Sequence, residues 1–340
     1  MKLLLLVNES ASSVTARARV VIHKSLAADH DVTVAETTRQ GHAARLAQGA
    51  VSKGIDVVVV LGGDGTVNET ANGLAGTATA LGVLPGGSTN VFARTIGMTN
   101  DPIEATGELL AALSKPGGGI ERVGLGNAAG RRFLFHCGIG FDAAVVEAVE
   151  RRSNLKRYLG HTFFAYSALR TWAAGYDRHH PHFSVSILDT SGMETVVDGG
   201  FFAIVLNTSP YTYLGDRAFD LVPEVGLRTP LGVVTLRSIS VPVLAMVASR
   251  TLRRSDDPSA RARPGATLFR NPSKGSVSKN VVSVTVQAAA SGTFPYQLDG
   301  EPMAEVQRLD LSWEPDVLGL VVPDLRGARY LQVKKGPPEP

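Results

Sequence analysis

The chain has 340 residues, of which 44% are hydrophobic and 19% charged, with a formal net charge of +3. This composition excludes a disordered chain, and the length exceeds that of one ordinary core, so we expect two domains. The small basic excess does not indicate a nucleic-acid partner, although it suits an anionic ligand or an anionic membrane surface.

The first third of the sequence alternates apolar strands with helix-like segments. Strands are predicted at residues 2–7, 31–36, 55–61 and 79–84. Helices are predicted at residues 14–29, 42–53, 66–75, 88–96 and 101–114. This alternation predicts βαβ units and a mostly parallel sheet. The glycine-rich stretch SKPGGG then indicates the end of an α/β domain that covers residues 1–118.

Strands dominate the rest of the sequence. A turn at residues 127–130 separates two of them, and a long helical region is predicted at 142–176. Further strands are predicted at residues 182–189, 194–206, 232–238 and 278–290, with a helix at 241–254. We therefore expect a strand-rich, mainly antiparallel domain over residues 119–315. A C-terminal strand and tail, residues 316–340, can return to the first domain.

No feature of the sequence predicts an exported or membrane-spanning protein. The apolar run at residues 3–7 is too short for the core of a signal peptide, and a buried strand explains it. No run approaches the roughly 18 apolar residues that a spanning helix needs. The single cysteine, Cys137, excludes an internal disulfide and indicates a reducing compartment. We expect a cytoplasmic protein whose membrane contact is peripheral.

A glycine loop, GGDGT at residues 62–66, joins a buried strand to a helix. Glycines let the backbone approach a ligand closely, and the first N–H groups of a helix attract an anion, most often phosphate. The loop lacks the Gly-Lys-Ser/Thr of a P-loop and the G-x-G-x-x-G spacing of a dinucleotide fold. Asp64 would repel phosphate unless a metal ion, a cation or a hydroxyl group lies between them. The loop therefore predicts Mg²⁺–phosphate chemistry or a bound hydroxyl group.

A second segment, LGVLPGGSTNVFAR, repeats the order of strand, glycines, hydroxyls and helix. Gly86 and Gly87 permit close approach of the backbone. Ser88 or Thr89 can cap the helix or contact phosphate, and Asn90 can brace the two loops. Two such loops on neighbouring strands predict a convergent phosphate cleft.

These motifs carry a resemblance to a known family. GGDGTVNE followed by PGGSTNVFAR resembles the diacylglycerol kinase catalytic domain, which bacterial lipid kinases, sphingosine kinases and ceramide kinases share. The GGDGT motif also occurs in NAD kinases and 6-phosphofructokinases. The later segments CGIGFDAAVV, IVLNTSPYTYLG and FPYQLDGE follow in the family's order, and the bacterial soluble diacylglycerol kinase-like group is the most similar. The resemblance implies a 6-phosphofructokinase/NAD kinase-like α/β domain, a strand-rich second domain and an interdomain cleft.

The resemblance also implies which residues bind ATP and Mg²⁺. The implied nucleotide-binding residues are Asn8, Thr37, Gly62, Gly63, Asp64, Gly65, Thr66, Val67, Asn68, Gly87, Ser88 and Asn90. Two positions depart from the family pattern. Ser88 stands where the family has threonine, and Glu9 replaces a proline after Asn8, which lowers the expected local fit to the nucleotide.

Phosphoryl transfer to an alcohol needs a group that accepts the hydroxyl proton. The resemblance places this base in Asp299-Gly300-Glu301, where Glu301 and Asp299 are almost equal candidates. Without the upstream loops, this Asp-Gly would be interpreted as a hairpin turn. Asp142 matches a family acid that organises an interdomain network, although it could equally cap the helix that follows it.

The metal ligands of the chain remain unknown from the sequence. The family carries a structural metal site, and Arg228 and Gly232 stand here where its acids are expected, with Glu224 as a substitute of uncertain spacing. The HHPH stretch at residues 179–182 is interpreted as a loop in preference to a metal site.

A basic and aromatic region at residues 151–178 suits an anionic membrane interface, or equally a helical pair with solvated arginines. The segment 241–254 poses the same question and is interpreted as a packed helix with a cationic end. We expect an ATP-dependent lipid kinase that converts diacylglycerol, or a related lipid alcohol, to its phosphate; diacylglycerol would give phosphatidic acid. The alternatives are an NAD kinase-like enzyme and a non-catalytic lipid- or nucleotide-binding protein. The resemblance also allows a homodimer.

Overall fold

The architecture comes from a computed structural model that describes residues 1–9, 11, 14–151, 170–173, 176–215, 217–254, 268–269 and 271–323. The chain forms two compact units. The first contains residues 1–125, 226–229 and 314–340, and the second contains residues 126–225 and 230–313. Compared with the predicted boundaries, the first unit also includes residues 119–125 and 226–229.

The sheet of the first unit is parallel. Its strands are β1 (Lys2–Asn8), β2 (Asp31–Thr37), β3 (Val57–Gly62), β4 (Ala80–Pro85) and the end of β18 (Arg308–Val321), in the order β2-β1-β3-β4-β18. β3 and β4 are buried along their whole length, as expected for runs of valine and leucine that are covered on both faces. β2 lies at the edge and is largely exposed.

Helices connect these strands, and they begin where the sequence supplies a cap. They are α1 (Ala16–Ala27), α2 (His42–Ser52), α3 (Asp64–Leu74), α4 (Val91–Thr95) and α5 (Pro102–Leu113). Thr15 accepts a hydrogen bond from the Ala18 N–H at the start of α1. Asp101 accepts two such bonds at the start of α5, where Pro102 occupies the first turn. These elements confirm the predicted α/β domain.

The second unit is strand-rich and antiparallel. Its larger sheet contains parts of β5 (Ile120–Ala128) and β18, and β6 (Arg131–Phe133), β7 (His136–Gly140), β8 (Phe183–Asp189), β9 (Glu194–Gly200), β10 (Phe202–Leu206), β13 (Leu231–Leu236), β15 (Gly275–Ala288), β16 (Tyr296–Leu298) and β17 (Glu301–Pro302). A small sheet contains β11 (Thr212–Leu214), β12 (Arg217–Phe219) and β14 (Leu252–Arg254). The strand pairings within this unit whose register the structure gives are antiparallel, which confirms the predicted class.

One predicted strand, residues 194–206, is in fact two. β9 pairs with β8, whereas β10 pairs with β7 and β13. The chain bends at Phe201, just after Gly199, whose φ of 76° favours glycine. Asp198, Gly199 and Gly200 interrupt the apolar run here, and this turn signal was passed over in the prediction.

The described helices of the second unit are α6 (Phe141–Glu150) and α7 (Val241–Thr251), together with residues 170–173. α7 packs Val243, Val247 and Thr251 inward, as predicted, but it ends at Thr251, and the last three residues of the predicted helix form β14. Most of the basic region 151–178 lies outside the described residues. No helix in the described part of the chain is long and apolar enough to cross a membrane.

Candidate active site

The carboxyl ends of the parallel strands meet at one edge of the sheet in the first unit. Asn8 pairs in register with Thr37, and Gly62 with Pro85. The Asn8 side-chain amide donates a 2.9 Å hydrogen bond to the Thr66 hydroxyl, so the end of β1 is tied to the first turn of α3. This edge is where open α/β sheets bind ligands.

The glycines of the two loops pack against each other. A Cβ on Gly86 would lie 2.8 Å from the Gly62 nitrogen, and a Cβ on Gly87 would lie 2.9 Å from the Gly63 Cα. The Gly86 N–H also donates a 2.9 Å hydrogen bond to the Gly62 carbonyl. Gly86 and Gly87 are therefore explained by contact with the first loop, whereas a Cβ on Gly62 would lie 3.0 Å from the Thr66 Cβ in its own loop.

Gly65 is different, because it is exposed and a Cβ there would meet nothing within 4 Å. It lies in the first turn of α3, where backbone N–H groups have no helical partner. The surface over Gly65 is thus the open face of the loop and can accept an anion.

Asp64 holds the second loop. Its carboxylate accepts hydrogen bonds from the N–H groups of Val91 (3.1 Å) and Phe92 (3.0 Å) and from the Thr89 hydroxyl (3.3 Å). It therefore caps α4, which has no side-chain cap from its own N-cap residue. Burial raises the pKa of the Asp64 carboxyl, while the N–H groups of Phe92 and Val91 and the Thr89 hydroxyl oppose that increase. The sequence did not indicate this capping role, and the nucleotide contact assigned to Asp64 stays a prediction.

Asn90 braces its own loop. It is buried, it has a φ of 47°, and its side chain exchanges hydrogen bonds with the Gly87 N–H (2.8 Å) and carbonyl (2.9 Å). Its amide also donates to Asn100 at 2.8 Å. Ser88 is exposed, whereas Val67 and Asn68 are buried inside α3. Ser88 is thus accessible to a ligand, whereas Val67 and Asn68 pack in the interior of the first unit.

A cavity of about 210 Å³ lies beside the loop at the ends of β1 and β2. Its lining includes three of the predicted residues, Asn8, Thr37 and Thr66. The other lining residues, which sequence reasoning missed, are Thr38, Arg39, Gln40, Ala43 and Glu69. The polar lining suits a polar ligand. Thr38, Arg39 and Gln40 follow β2 directly in the sequence, whereas Ala43 lies in α2 and Glu69 in α3.

The unusual Glu9 has a partner in the same unit. The Arg19 guanidinium lies between the carboxylates of Glu9, at 2.5 Å, and Glu36. The hydrogen bond that Arg19 donates to Glu9 is the main reason that the pKa of Arg19 is raised. Arg19 of α1 is therefore paired with Glu9, which follows β1, and with Glu36 of β2.

In the second unit, Asp299 is the centre of a backbone nest. Its carboxylate accepts hydrogen bonds from the N–H groups of Leu134 (2.7 Å), Phe135 (2.9 Å) and His136 (3.0 Å). Asp299 has a φ of 49°, and its own N–H donates to the His136 carbonyl at 2.9 Å. Both oxygens of this predicted base thus hold the chain before β7 in place.

Glu301 has a different environment. It forms an ion pair with Arg131 of β6, and both side chains are about one-third exposed. Arg131 also lies 3.5 Å from the Met303 sulfur. Sequence reasoning missed Arg131, which is separated from Glu301 by 170 positions.

Asp142 is the second residue of α6, and the predicted N-cap role is wrong because Gly140 holds that position. Its buried carboxylate accepts hydrogen bonds from the Tyr211 hydroxyl (2.7 Å) and the Gln297 amide (2.8 Å). Burial raises the pKa of Asp142, and these two donors oppose the increase. Gln297 also accepts from the Gly300 N–H at 2.7 Å, so the network reaches the Asp-Gly-Glu turn.

His136 is a buried histidine that the sequence did not single out. Its ring lies 4.5 Å from the Tyr211 ring between centroids, and its Nδ1 has no partner among the described residues. Burial lowers the pKa of His136 from 6.5 to about 3. The imidazole is therefore neutral at physiological pH.

The His136 pKa predicts an acid sensitivity. Between pH 6.5 and about 3 the unfolded chain binds a proton that the folded protein does not, so stability falls as the pH falls through this window. The loss is at most about 1.4 kcal/mol per pH unit. We expect His136→Gln to flatten this slope in denaturant titrations at pH 4 to 7. An equal slope in wild type and His136→Gln would contradict the assignment.

The positions at which the family has structural-metal acids carry ion pairs here. Arg228 pairs with Glu121, and Glu224 pairs with Lys279 at 2.5 Å. A Cβ on Gly232 would lie 2.5 Å from a Val225 methyl carbon, so a larger residue does not fit there without movement. The described residues contain no group of three or more His, Cys, Asp or Glu side chains placed to hold a metal, and this includes the 179–182 loop. The residues do not fit the family's structural metal.

Arg228 holds the segment 226–229 to β5 together with the 2.7 Å hydrogen bond from the Gly124 N–H to the Leu227 carbonyl. We therefore expect that a chelator leaves the unfolding temperature unchanged, whereas Arg228→Ala lowers the free energy of unfolding by up to about 1 kcal/mol. Thermal unfolding with and without EDTA tests this expectation. A chelator-induced fall in wild type would contradict it.

Comparisons with known proteins give a consistent result. The diacylglycerol kinase catalytic domain matches residues 2–118. A Chromohalobacter salexigens protein named "Probable lipid kinase YegS-like" is 39% identical over 137 residues, which cover 39% of this chain and 42% of that protein. The "Diacylglycerol kinase" of Bacillus subtilis is 32% identical over 143 residues, which cover 41% and 45%. The chain thus spans about half the length of the curated relatives it matches.

The fold is shared over a longer range. The crystal structure of a diacylglycerol kinase from Bacillus anthracis aligns with 95% of this chain and 97% of its own, with a TM-score of 0.68 and 23% identity. At this identity the likeness shows the fold alone. The α/β unit and the antiparallel unit therefore occur together in both proteins.

Proposed function

We propose that the chain is an ATP-dependent lipid kinase, because residues 2–118 match the diacylglycerol kinase catalytic domain. The open face of the glycine loop at Gly65, beside the 210 Å³ cavity, is the observation that carries this proposal. The triphosphate lies over the first turn of α3, and the nucleoside enters the cavity. The family match supports the use of ATP, and the cavity supplies the polar contacts.

Mg²⁺ accompanies the nucleotide in this proposal. Magnesium in kinases is held largely by the substrate phosphates and one or two carboxylates, so a site without three clustered acids is compatible with it. The ion would supply charge neutralisation at the phosphates. Asp64 is the acid of the glycine loop, and since both of its oxygens already accept N–H groups of Val91 and Phe92, it would hold the ion through water.

Glu301 is the proposed general base. A base must take a proton during the reaction, and both oxygens of Asp299 already accept backbone N–H bonds that the chain before β7 requires. Glu301 instead pairs with Arg131 and is about one-third exposed. Arg131 orients the carboxylate through the ion pair, while Asp299 fixes the turn that presents it.

The acceptor is the primary hydroxyl of a lipid, with diacylglycerol as the first candidate and phosphatidic acid as its product. The names of the relatives support this substrate class. Such a substrate resides in a membrane, so we propose that the protein works at a membrane surface, with anionic lipids favoured by its net charge of +3.

The test is transfer of the γ-phosphate of ATP in mixed micelles with Mg²⁺, with diacylglycerol, a sphingoid base and NAD as separate acceptors. Labelled phosphatidic acid supports the proposal. Product from the sphingoid base alone changes the acceptor but keeps the class of reaction. Product from NAD alone indicates the NAD kinase-like alternative. Nucleotide binding without transfer to any acceptor overturns catalysis and favours a binding protein.

A further inference from the structure

Glu69 of α3 reaches across to another helix. Its two carboxylate oxygens accept hydrogen bonds from the N–H groups of Gly41 (2.8 Å) and Ala43 (3.1 Å), at the start of α2. α2 needs such a partner because its N-cap residue, Gly41, has a φ of 74° and no side chain that could cap it. Glu69 therefore caps α2 from a neighbouring helix, because the residues before α2 provide no side-chain cap.

A second contact fixes the same pair of helices. A Cβ on Gly73 would lie 2.5 Å from the Ala44 carbonyl oxygen, so α3 and α2 approach each other closely one turn beyond Glu69. The first turn of α2 is thus held at two levels by α3. Asp64 caps α4 from the same helix, so α3 contributes one capping carboxylate to α2 and one to α4.

The segment that Glu69 anchors is one wall of the cavity. Thr38, Arg39 and Gln40 line the cavity and precede the anchored N–H groups by only one to five positions. These three residues are exposed and belong to no helix or strand. The segment continues directly into Gly41, whose N–H group Glu69 binds, so Glu69 fixes its C-terminal end. The backbone position of residues 38–40 determines the shape of this wall of the cavity.

We propose that Glu69 is a positioning residue for nucleotide affinity: it holds the 38–43 segment in the conformation that receives the nucleoside part of ATP. The inference rests on the proposed function, because it assumes that the phosphates lie over the glycine loop and the nucleoside in the adjoining cavity. Loss of the anchor weakens binding of the nucleoside part and leaves the phosphate-binding face of α3 intact.

The test compares Glu69→Ala and Glu69→Gln with a matched control. Glu108 of α5 also accepts a backbone hydrogen bond, from the Thr99 N–H at 3.0 Å, but does not line the cavity. We measure calorimetric dissociation constants for ATP and for inorganic tripolyphosphate, together with amide hydrogen exchange at residues 41–43. Glu69→Ala is expected to weaken ATP binding about tenfold or more, with tripolyphosphate within about twofold of wild type.

Glu69→Gln retains one acceptor and should fall between wild type and Glu69→Ala, while Glu108→Gln should bind both ligands as wild type does. Faster exchange at residues 41–43 in the Glu69 variants completes the expected result. Unchanged ATP binding in the Glu69 variants, or an equal loss of tripolyphosphate binding, overturns the inference. A wild-type protein that binds neither ligand overturns the proposed function itself, and one that binds ATP without kinase activity overturns catalysis alone.

Discussion

Glu301→Gln is expected to lower kcat by about 10² to 10⁴ while leaving the fold intact. The substitution keeps the shape of the side chain but removes the carboxylate that accepts the hydroxyl proton. Because the Glu301–Arg131 pair is about one-third exposed on both sides, its loss should cost less than about 1 kcal/mol of unfolding free energy. Steady-state kinetics in micelles and denaturant titration measure the two effects on the same preparations.

Asp299→Asn provides the contrast. One atom of the new amide would be a donor facing the N–H groups of Leu134, Phe135 or His136, which leaves a donor unsatisfied and costs about 1 to 3 kcal/mol. We expect a stability loss larger than that of Glu301→Gln and a smaller effect on kcat in the fraction that remains folded. A stable Asp299→Asn with the larger loss of kcat, beside an active Glu301→Gln, would transfer the role of base to Asp299.

Much of the first unit could be predicted because its signals are local. The run of residues 57–61 is apolar and β-branched, and glycines and a helical pattern follow it, so strand, loop and helix are visible within twenty positions. The error lies at the boundary: α3 starts at Asp64, two positions before the predicted start at Thr66. Asp64 favours the first turn of a helix through its charge, a signal that the glycines on either side concealed.

The contacts that build the candidate site could not be predicted from the sequence, because they join distant positions. Asp64 looks like a residue of Mg²⁺–phosphate chemistry and Glu69 had no predicted role, yet in the structure they cap α4 and α2, which lie 27 and 26 to 28 positions away. Arg131 has no motif at all, and only the pairing of β16 with β7 brings the Asp-Gly-Glu turn towards the β6–β7 region. Tertiary packing therefore determined which acids are structural and which remain available.

This division gives the glycines separate tasks. Gly86 and Gly87 let the second loop pack on the first, a Cβ on Gly62 would crowd Thr66, and among the glycines of the two loops only Gly65 leaves open space over the start of α3. A motif of glycines is therefore not uniformly a ligand-binding signal. The single position without a neighbour is the one at which a ligand can explain the absence of a side chain.

Gly65→Ala should accordingly raise stability and abolish activity. Alanine is the better helix former, so the substitution should add about 0.5 to 1 kcal/mol to the unfolding free energy, since no atom lies within 4 Å of the new Cβ. The same methyl group would keep the phosphates from the N–H groups of α3, and losing such a donor costs about 10²- to 10³-fold in kcat. Thermal unfolding measures the expected gain in stability, and the micelle assay measures the expected loss of activity.

Two other glycines separate the effects. Gly107, in α5, also has nothing within 4 Å of a built Cβ, so Gly107→Ala should stabilise the protein equally with full activity. Gly87→Ala would bring its Cβ to 2.9 Å from the Gly63 Cα and 3.1 Å from the Asn90 oxygen, and should lower both stability and activity. If Gly65→Ala retained wild-type kcat and ATP affinity, the open face over α3 would not be the phosphate site, and the nucleotide would have to bind elsewhere in the first unit.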